Sequence, residues 1–122
     1  DAIFVDFHGE ATSEKMAMGK FLDGKVSAVV GTHTHIPTND CHIMSGKTAY
    51  QTDAGMCGDF DSVIGMEKSV PIKMFLHKRR MGKMTPGKGQ ATLCGCVVDI
   101  DNKTGLAKEI FPIKLGGILD NS

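Results

Sequence analysis

Two short apolar runs on either side of a helical pattern open the chain. Residues 2–7 and 26–30 each predict a β-strand that is apolar enough to be buried. Between them, Thr12 or Ser13 can cap a helix that runs to about Leu22, and Gly24 lies where that helix should stop. Strand, helix and strand within roughly thirty residues form a βαβ unit, whose right-handed crossover makes the two strands parallel.

The first predicted strand starts at once, with no loop before it. Ile3, Phe4 and Val5 are consecutive and apolar, which is typical of a strand that is covered on both faces and paired on both sides. We therefore expect the sequence to be a piece of a longer protein whose missing segment lies upstream.

After Pro37 the pattern becomes that of antiparallel hairpins. Residues 41–44 and 48–52 alternate around a turn at 45–47, and residues 91–100 and 106–115 flank a second turn at 101–105. Between the hairpins lie a glycine-containing loop at 53–62, a segment at 69–77 that could be helix or strand, and a basic loop at 80–90. The sequence thus predicts an α/β protein with a βαβ unit followed by hairpins.

Length, hydrophobic content and net charge limit the number of domains and the kinds of partner that the protein can have. With 122 residues, of which 41% are hydrophobic, we expect one domain with one modest core. Lysine and arginine number 14 and acidic residues also number 14, so no net charge attracts nucleic acid or an anionic membrane. The sequence has neither an apolar run of about eighteen residues nor a signal-peptide pattern, so we expect a cytoplasmic protein with no membrane partner.

Histidines follow both predicted parallel strands at the point where each strand ends. His8 comes after the first strand, and His33 and His35 come after the second, in the segment VGTHTHIP. The carboxyl ends of parallel strands meet at one edge of an open α/β sheet, where such sheets bind ligands. Neutral imidazole is a common ligand for zinc-like and iron-like ions, so three imidazoles at one edge predict a metal site.

Three segments carry a resemblance to a known family: DFHGEATSEK, VSAVVGTHTHIPT and TDAGMCGDFDSVIGM. They resemble the C-terminal half of the calcineurin-like metallophosphoesterases, and more narrowly the YmdB-like subfamily, which is linked to 2′,3′-cyclic-nucleotide 2′-phosphodiesterase activity. The resemblance implies a β-sandwich flanked by helices, of which residues 1–122 would be the C-terminal half of a single domain. It also implies two metal ions, with iron and manganese preferred and zinc allowed: His8 and His33 would ligate one ion, and His35 the other.

The metal ligands in this chain are incomplete by that resemblance. Two ions close together need a bridging carboxylate, because three neutral imidazoles supply no compensating charge. In the family the bridge, a second carboxylate, an asparagine and the catalytic histidine come from the N-terminal half, so the general acid is unknown here. Strand alternation puts Asp6 on the same side as His8, but neither Asp6 nor Glu10 is a good substitute for the bridge. Glu10 and Asp53 are predicted instead to orient the ligating imidazoles without binding the ion themselves.

The implied reaction is hydrolysis of a cyclic nucleotide or related phosphodiester by a metal-bound hydroxide. The loop at 53–62 is predicted to contribute substrate contacts through Gly55, Gly58, Phe60, Asp61 and Ser62. We expect this chain alone to be inactive, and we expect the missing N-terminal segment, a partner chain or self-association to cover its apolar strand edges. Two alternatives stay open: a mononuclear zinc hydrolase with three histidine ligands, and a metal-free interaction module.

Overall fold

The computed structural model describes residues 1–121 and has a mixed α/β architecture, as the sequence predicts. The elements in chain order are β1 (Phe4–His8), α1 (Thr12–Leu22), β2 (Ala28–Thr32), β3 (His42–Ile43), β4 (Ala49–Gln51), β5 (Gly58–Asp59), α2 (Ser69–His77), β6 (Ala91–Ile100) and β7 (Ala107–Leu115). The strands form a four-stranded sheet in the order β1-β2-β4-β3 and a three-stranded sheet in the order β5-β6-β7.

The residues group into two compact units. The first contains Asp1–Gly55 and Cys94–Ile113, and the second contains Met56–Leu93 with the C-terminal residues from Lys114 onward. The four-stranded sheet, α1 and the three predicted metal ligands all belong to the first unit. The second unit contains α2 and β5.

The βαβ prediction for the start of the chain is confirmed. β1 and β2 pair in parallel, and α1 ends at Leu22 as predicted. Both strands begin and end later than predicted, because their pairing starts at Phe4↔Ala28 and continues to His8↔Thr32. This register is what matters for function, since it places the last residues of the two strands side by side.

Two details of the opening prediction are wrong. Ala11 is the N-cap of α1 and no side chain caps the helix, because Thr12 is already the first helical residue. The other error concerns β1, which alternates between exposed and half-buried residues instead of being buried throughout. Phe4 is 60% exposed, and β1 lies at the edge of the sheet, where it pairs only with β2 within the described chain.

The core of the first unit lies on both sides of β2 and β4. One buried cluster comprises Val26, Val29, Met44 and Tyr50, and the other comprises Ala28, Ala49 and Ala107. Helix α1 packs closely on this core: a Cβ added to Gly19 would lie 2.7 Å from the Tyr50 ring. Burial of apolar side chains is worth about 25 cal/mol per Å², so the first cluster, on which Leu22 of α1 also packs, holds the helix against the sheet.

The predicted hairpins are also present. β3 and β4 pair antiparallel within the first unit, and β6 and β7 are neighbours in the second sheet. The segment at 69–77 is a helix, which resolves the open choice between helix and strand. Pro71 is in its first turn, where the missing N–H costs nothing, and Lys78 ends it in the left-handed conformation.

An apolar groove of about 480 Å³ lies within the second unit. It is lined by Val63, Ile64, Met66, Pro71, Met74, Phe75 and Met84. Among residues 1–121, no helix is both long and apolar enough to cross a membrane.

Candidate functional site

The strand ends predicted to hold metal do bring two histidines together. His8 is the last residue of β1, and His33 directly follows Thr32, the last residue of β2. His8 Nε2 lies 3.1 Å from His33 Nδ1. The rings meet edge to face, with centroids 4.9 Å apart and planes at 90°. The parallel register thus produces a pair of imidazole nitrogens at the carboxyl edge of the sheet.

A chain of hydrogen bonds behind His8 fixes which of its nitrogens carries the proton. Thr32 Oγ1 donates to Asp6 Oδ1 over 2.8 Å and lies 3.0 Å from His8 Nδ1. A hydroxyl has a single proton, so Thr32 must accept a hydrogen bond from His8 Nδ1–H. Neutral His8 therefore keeps a lone pair on Nε2, the nitrogen that faces His33. This is the arrangement by which a second layer of polar groups orients a metal-binding imidazole.

The backbone that carries His33 and His35 is strained. His33 has φ 126° and His35 has φ 70°, a region that side-chain-bearing residues rarely adopt. Such residues cost roughly 1–3 kcal/mol each and persist only where the surroundings enforce them. His33 is exposed and His35 is half-buried. Some part of the fold must therefore hold this loop in place.

The buried carboxylate of Asp53 holds the loop. Asp53 is 1% exposed, and its Oδ2 accepts the backbone N–H of Thr34, which lies between the two strained histidines, over 2.9 Å. Its Oδ1 accepts the N–H of Gly55, also over 2.9 Å, and Lys15 Nζ donates to Oδ2. Burial by itself raises the pKa of Asp53, but these hydrogen bonds outweigh it and hold the pKa below its usual value. Asp53 is therefore a charged acceptor at neutral pH.

The two imidazoles fit part of a metal's coordination shell. Nitrogens bound to a tetrahedral zinc at ~2.0–2.1 Å lie about 3.3 Å apart, close to the 3.1 Å between His8 Nε2 and His33 Nδ1. In the part of the chain that the structure describes, no group of three or more His, Cys, Asp or Glu side chains is arranged to hold an ion. The site therefore supplies two well-placed donors and not a complete shell, and the assignment of His35 as a ligand stays a prediction.

The predicted supporting residues differ in what they contact. Asp53 contacts the histidine loop through Thr34, as described above. Glu10 is exposed, and no hydrogen bond between it and His8 or His33 is present within residues 1–121. Asp6, which the sequence offers as a poor substitute for the bridging carboxylate, contacts His8 indirectly, through the Thr32 hydroxyl.

The five predicted substrate residues are divided between the units. Gly55 belongs to the first unit, where its φ of 82° and its close packing on Pro37 require glycine. The other four belong to the second unit, where Ser62 Oγ accepts the N–H of Gly65 and Asp61 pairs with Lys68. These contacts shape a local turn, so the substrate role of Gly58, Phe60, Asp61 and Ser62 stays a prediction.

Sequence reasoning missed Thr32 and Lys15. A signal for Lys15 was present, because Lys15 and Gly19 lie four residues apart on the buried face of α1. Thr32 follows directly after Gly31 in the strand that leads into the histidine pair. Its hydroxyl faces His8 because the parallel register pairs these two residues. The sequence predicts that the strands are parallel, but not which residues pair.

Comparison with known proteins identifies the family. Residues 1–113 match the family described as YmdB-like protein. The chain belongs to the YmdB-like family. The match covers all of the elements that carry the histidines and their supporting residues.

Relatives of this YmdB-like chain include enzymes. It is 49% identical over 108 residues to the 2′,3′-cyclic-nucleotide 2′-phosphodiesterase of Bacillus subtilis, an alignment that covers 88% of this chain and 40% of that protein. A phosphatase from Mycoplasma pneumoniae has a solved structure that superposes with TM-score 0.86 at 39% identity, covering 92% of this chain and 40% of that chain.

A second solved structure, of a hypothetical protein from Thermus thermophilus, superposes with TM-score 0.88 at 38% identity. It covers 96% of this chain and 45% of that chain. These matches confirm that the fold is part of a metallophosphoesterase fold. This YmdB-like chain spans less than half the length of the relatives described here.

Proposed function

We propose that this chain supplies part of the active site of a metal-dependent phosphodiesterase that acts on 2′,3′-cyclic nucleotides or related phosphodiesters. The observation that carries the proposal is the pair of facing nitrogens, His8 Nε2 and His33 Nδ1, at the carboxyl edge of the parallel strands. The relative named as a 2′,3′-cyclic-nucleotide 2′-phosphodiesterase supports the substrate class. Metals are proposed at this edge because imidazole pairs of this spacing are typical ligands.

We propose that His8 and His33 both ligate one ion and that His35 ligates a second. Iron or manganese is preferred, and zinc is allowed. When bound, such ions neutralise charge on phosphoryl oxygens and activate water for attack on phosphorus. The carboxylates that balance the ions, and the general acid, are proposed to come from residues outside this chain. The described part of the chain supplies no three-donor cluster, so these residues alone should be inactive.

The chain's own residues prepare the imidazoles for binding. Asp6 and Thr32 keep the proton of His8 on Nδ1, so that Nε2 is available without a change of tautomer. Asp53 holds the Thr34 amide, so that His33 and His35 keep their strained backbone before any ligand arrives. Preorganisation of this kind lowers the cost of binding, since His8 keeps its tautomer and residues 33–35 keep their backbone conformation.

The test is metal content and hydrolysis by the full-length protein purified without chelator. About two iron or manganese ions per chain, and conversion of 2′,3′-cyclic AMP to the 3′-monophosphate, are expected; that product shows that the bond to O2′ breaks. His33→Ala should lose both metal and activity. His77→Ala is the matched control, because His77 is an exposed histidine on α2.

Other results would select one of the alternatives. One zinc per chain with retained hydrolysis would favour a mononuclear zinc hydrolase. No bound metal and no hydrolysis, with His33→Ala changing only the thermal midpoint, would favour an interaction module and refute the proposed function.

A further inference from the structure

A lysine is buried in the first unit beside the histidine loop. Lys15, in α1, is 1% exposed, and its Nζ lies 2.9 Å from Oδ2 of Asp53, which is also 1% exposed. Lysine is almost never fully buried unless it is paired. An internal ion pair is weak evidence for stability, because desolvation of both charges offsets most of their attraction. This pair therefore calls for an explanation other than stability.

The pair is hydrogen-bonded to the backbone of the histidine loop, residues 33–35. Asp53 Oδ2 accepts hydrogen bonds from both Lys15 Nζ and the Thr34 N–H, each over 2.9 Å. Thr34 lies between His33 and His35, both of which have positive φ. The ammonium thus fixes the carboxylate, and the carboxylate fixes the one amide between the two strained histidines.

The fold makes room for the lysine at a glycine. A Cβ on Gly31 would lie 2.9 Å from Lys15 Cδ and only 1.8 Å from the carbonyl oxygen of Thr52. Gly31 therefore allows β2 to approach both the lysine stem and the backbone just before Asp53. The lysine, the carboxylate and the start of the histidine loop are held together by this close contact.

We propose that Lys15 is a positioning residue for metal binding. Its ammonium holds the Asp53 carboxylate in the place where it sets the backbone of residues 33–35, and so the direction of the imidazoles. This inference rests on the proposed function, since it assumes that the histidines bind metal. Removal of a residue that orients metal ligands without binding the ion typically weakens metal affinity 10–100-fold.

The test compares two lysines of the same helix in the full-length protein. Lys15→Met keeps the length of the side chain and removes the charge, whereas Lys20→Met removes the charge of an exposed lysine. Calorimetric titration with Mn²⁺, below the thermal midpoint of each variant, should show affinity about 10–100-fold weaker in Lys15→Met. It should change by less than about 2-fold in Lys20→Met.

A second readout needs no metal. Amide hydrogen exchange at Thr34 and Gly55, the two N–H groups bound by Asp53, should be faster in metal-free Lys15→Met than in the wild type. A purely structural role would lower the thermal midpoint and leave both the Mn²⁺ affinity and these two amides, relative to the rest of the core, unchanged. That result would overturn the inference.

The outcomes separate this inference from the proposed function. Wild-type protein that binds no metal refutes both. Wild-type protein that binds Mn²⁺ as tightly as folded Lys15→Met refutes only the role of Lys15. If Lys15→Met does not fold, amide hydrogen exchange in the wild type is the deciding measurement. Coupling between two sites is reciprocal. If Asp53 links the Gly55 amide to the metal site, saturating Zn²⁺ should slow hydrogen exchange at that amide. An unresponsive Gly55 amide would overturn the inference.

Discussion

Two lysine–aspartate pairs of nearly equal length have different surroundings. Lys15 and Asp53, in the first unit, are 2.9 Å apart with both side chains 1% exposed. Lys68 and Asp61, in the second, are 2.8 Å apart with side chains 51% and 64% exposed. Distance alone would rank them equal. Exposed pairs contribute little because water and salt screen them, whereas a buried carboxylate without its partners is costly.

The hydrogen bonds reinforce that contrast. Asp53 accepts two backbone amides besides the lysine, and one of them belongs to the histidine loop. Asp61 accepts the exposed Lys68, and its own N–H donates to Asp59 two residues earlier. The buried pair connects segments far apart in sequence, and the exposed pair joins near neighbours. This difference favours a functional role for the first pair and a local one for the second.

Removal of the carboxylate should give the largest difference in stability between the two pairs. Asp53→Ala should lower the free energy of unfolding by about 3–5 kcal/mol, because Lys15 and two amides lose their buried acceptor. Asp61→Ala should leave the denaturation midpoint unchanged within error. Urea denaturation of both variants at neutral pH measures this. Equal effects would show that burial does not distinguish the two pairs.

A smaller effect is expected from filling the space beside the buried pair. In Gly31→Ala the new Cβ would lie 1.8 Å from the Thr52 carbonyl oxygen, so the backbone must shift, and we expect a loss of about 1–3 kcal/mol. The matched control is Gly95→Ala, because a Cβ at Gly95 meets no atom within 4 Å. That change should be neutral or stabilising by up to about 1 kcal/mol. Thermal unfolding of both variants provides the comparison; a neutral Gly31→Ala would mean that the approach is not tight.

The meeting of His8 and His33 could be predicted from the sequence, whereas the support behind them could not. Two apolar runs and a helix pattern are enough to predict parallel strands, and parallel strands end at one edge. The pairing of Lys15 with Asp53 joins residues 38 positions apart, and no local pattern specifies such a partner. The sequence predicts that Asp53 supports the ligands, and in the structure Asp53 accepts the Thr34 amide N–H of the histidine loop. The positive φ of His33 also has no sequence signal, because it is enforced by tertiary hydrogen bonds.

The smallest expected effect is on the titration of Asp53. Its pKa lies below the usual value because hydrogen bonds from Thr34, Lys15 and Gly55 outweigh the opposing effect of burial. A carboxyl with a lowered folded pKa adds stability above its unfolded pKa of ~3.9, and that stability is lost as the pH falls through the folded pKa. We expect the Asp53 carboxyl carbon to titrate below pH ~3.9 in the wild type, and at higher pH in Lys15→Met.

A carbon-13 NMR titration of both proteins measures the shift directly, and urea denaturation at several pH values checks its effect on stability. Asp40 also has a lowered pKa, since hydrogen bonds from Thr38 and Thr52 outweigh its burial, but its contribution is the same in both proteins and cancels in the difference. The fall in the free energy of unfolding on acidification should therefore be smaller in Lys15→Met. If the Asp53 midpoint does not move, the two backbone amides suffice to hold the carboxylate ionised. The ammonium of Lys15 would then affect the pKa of its partner as little as an exposed, solvent-screened charge does. In that case burial would not distinguish the Lys15–Asp53 pair from the Lys68–Asp61 pair.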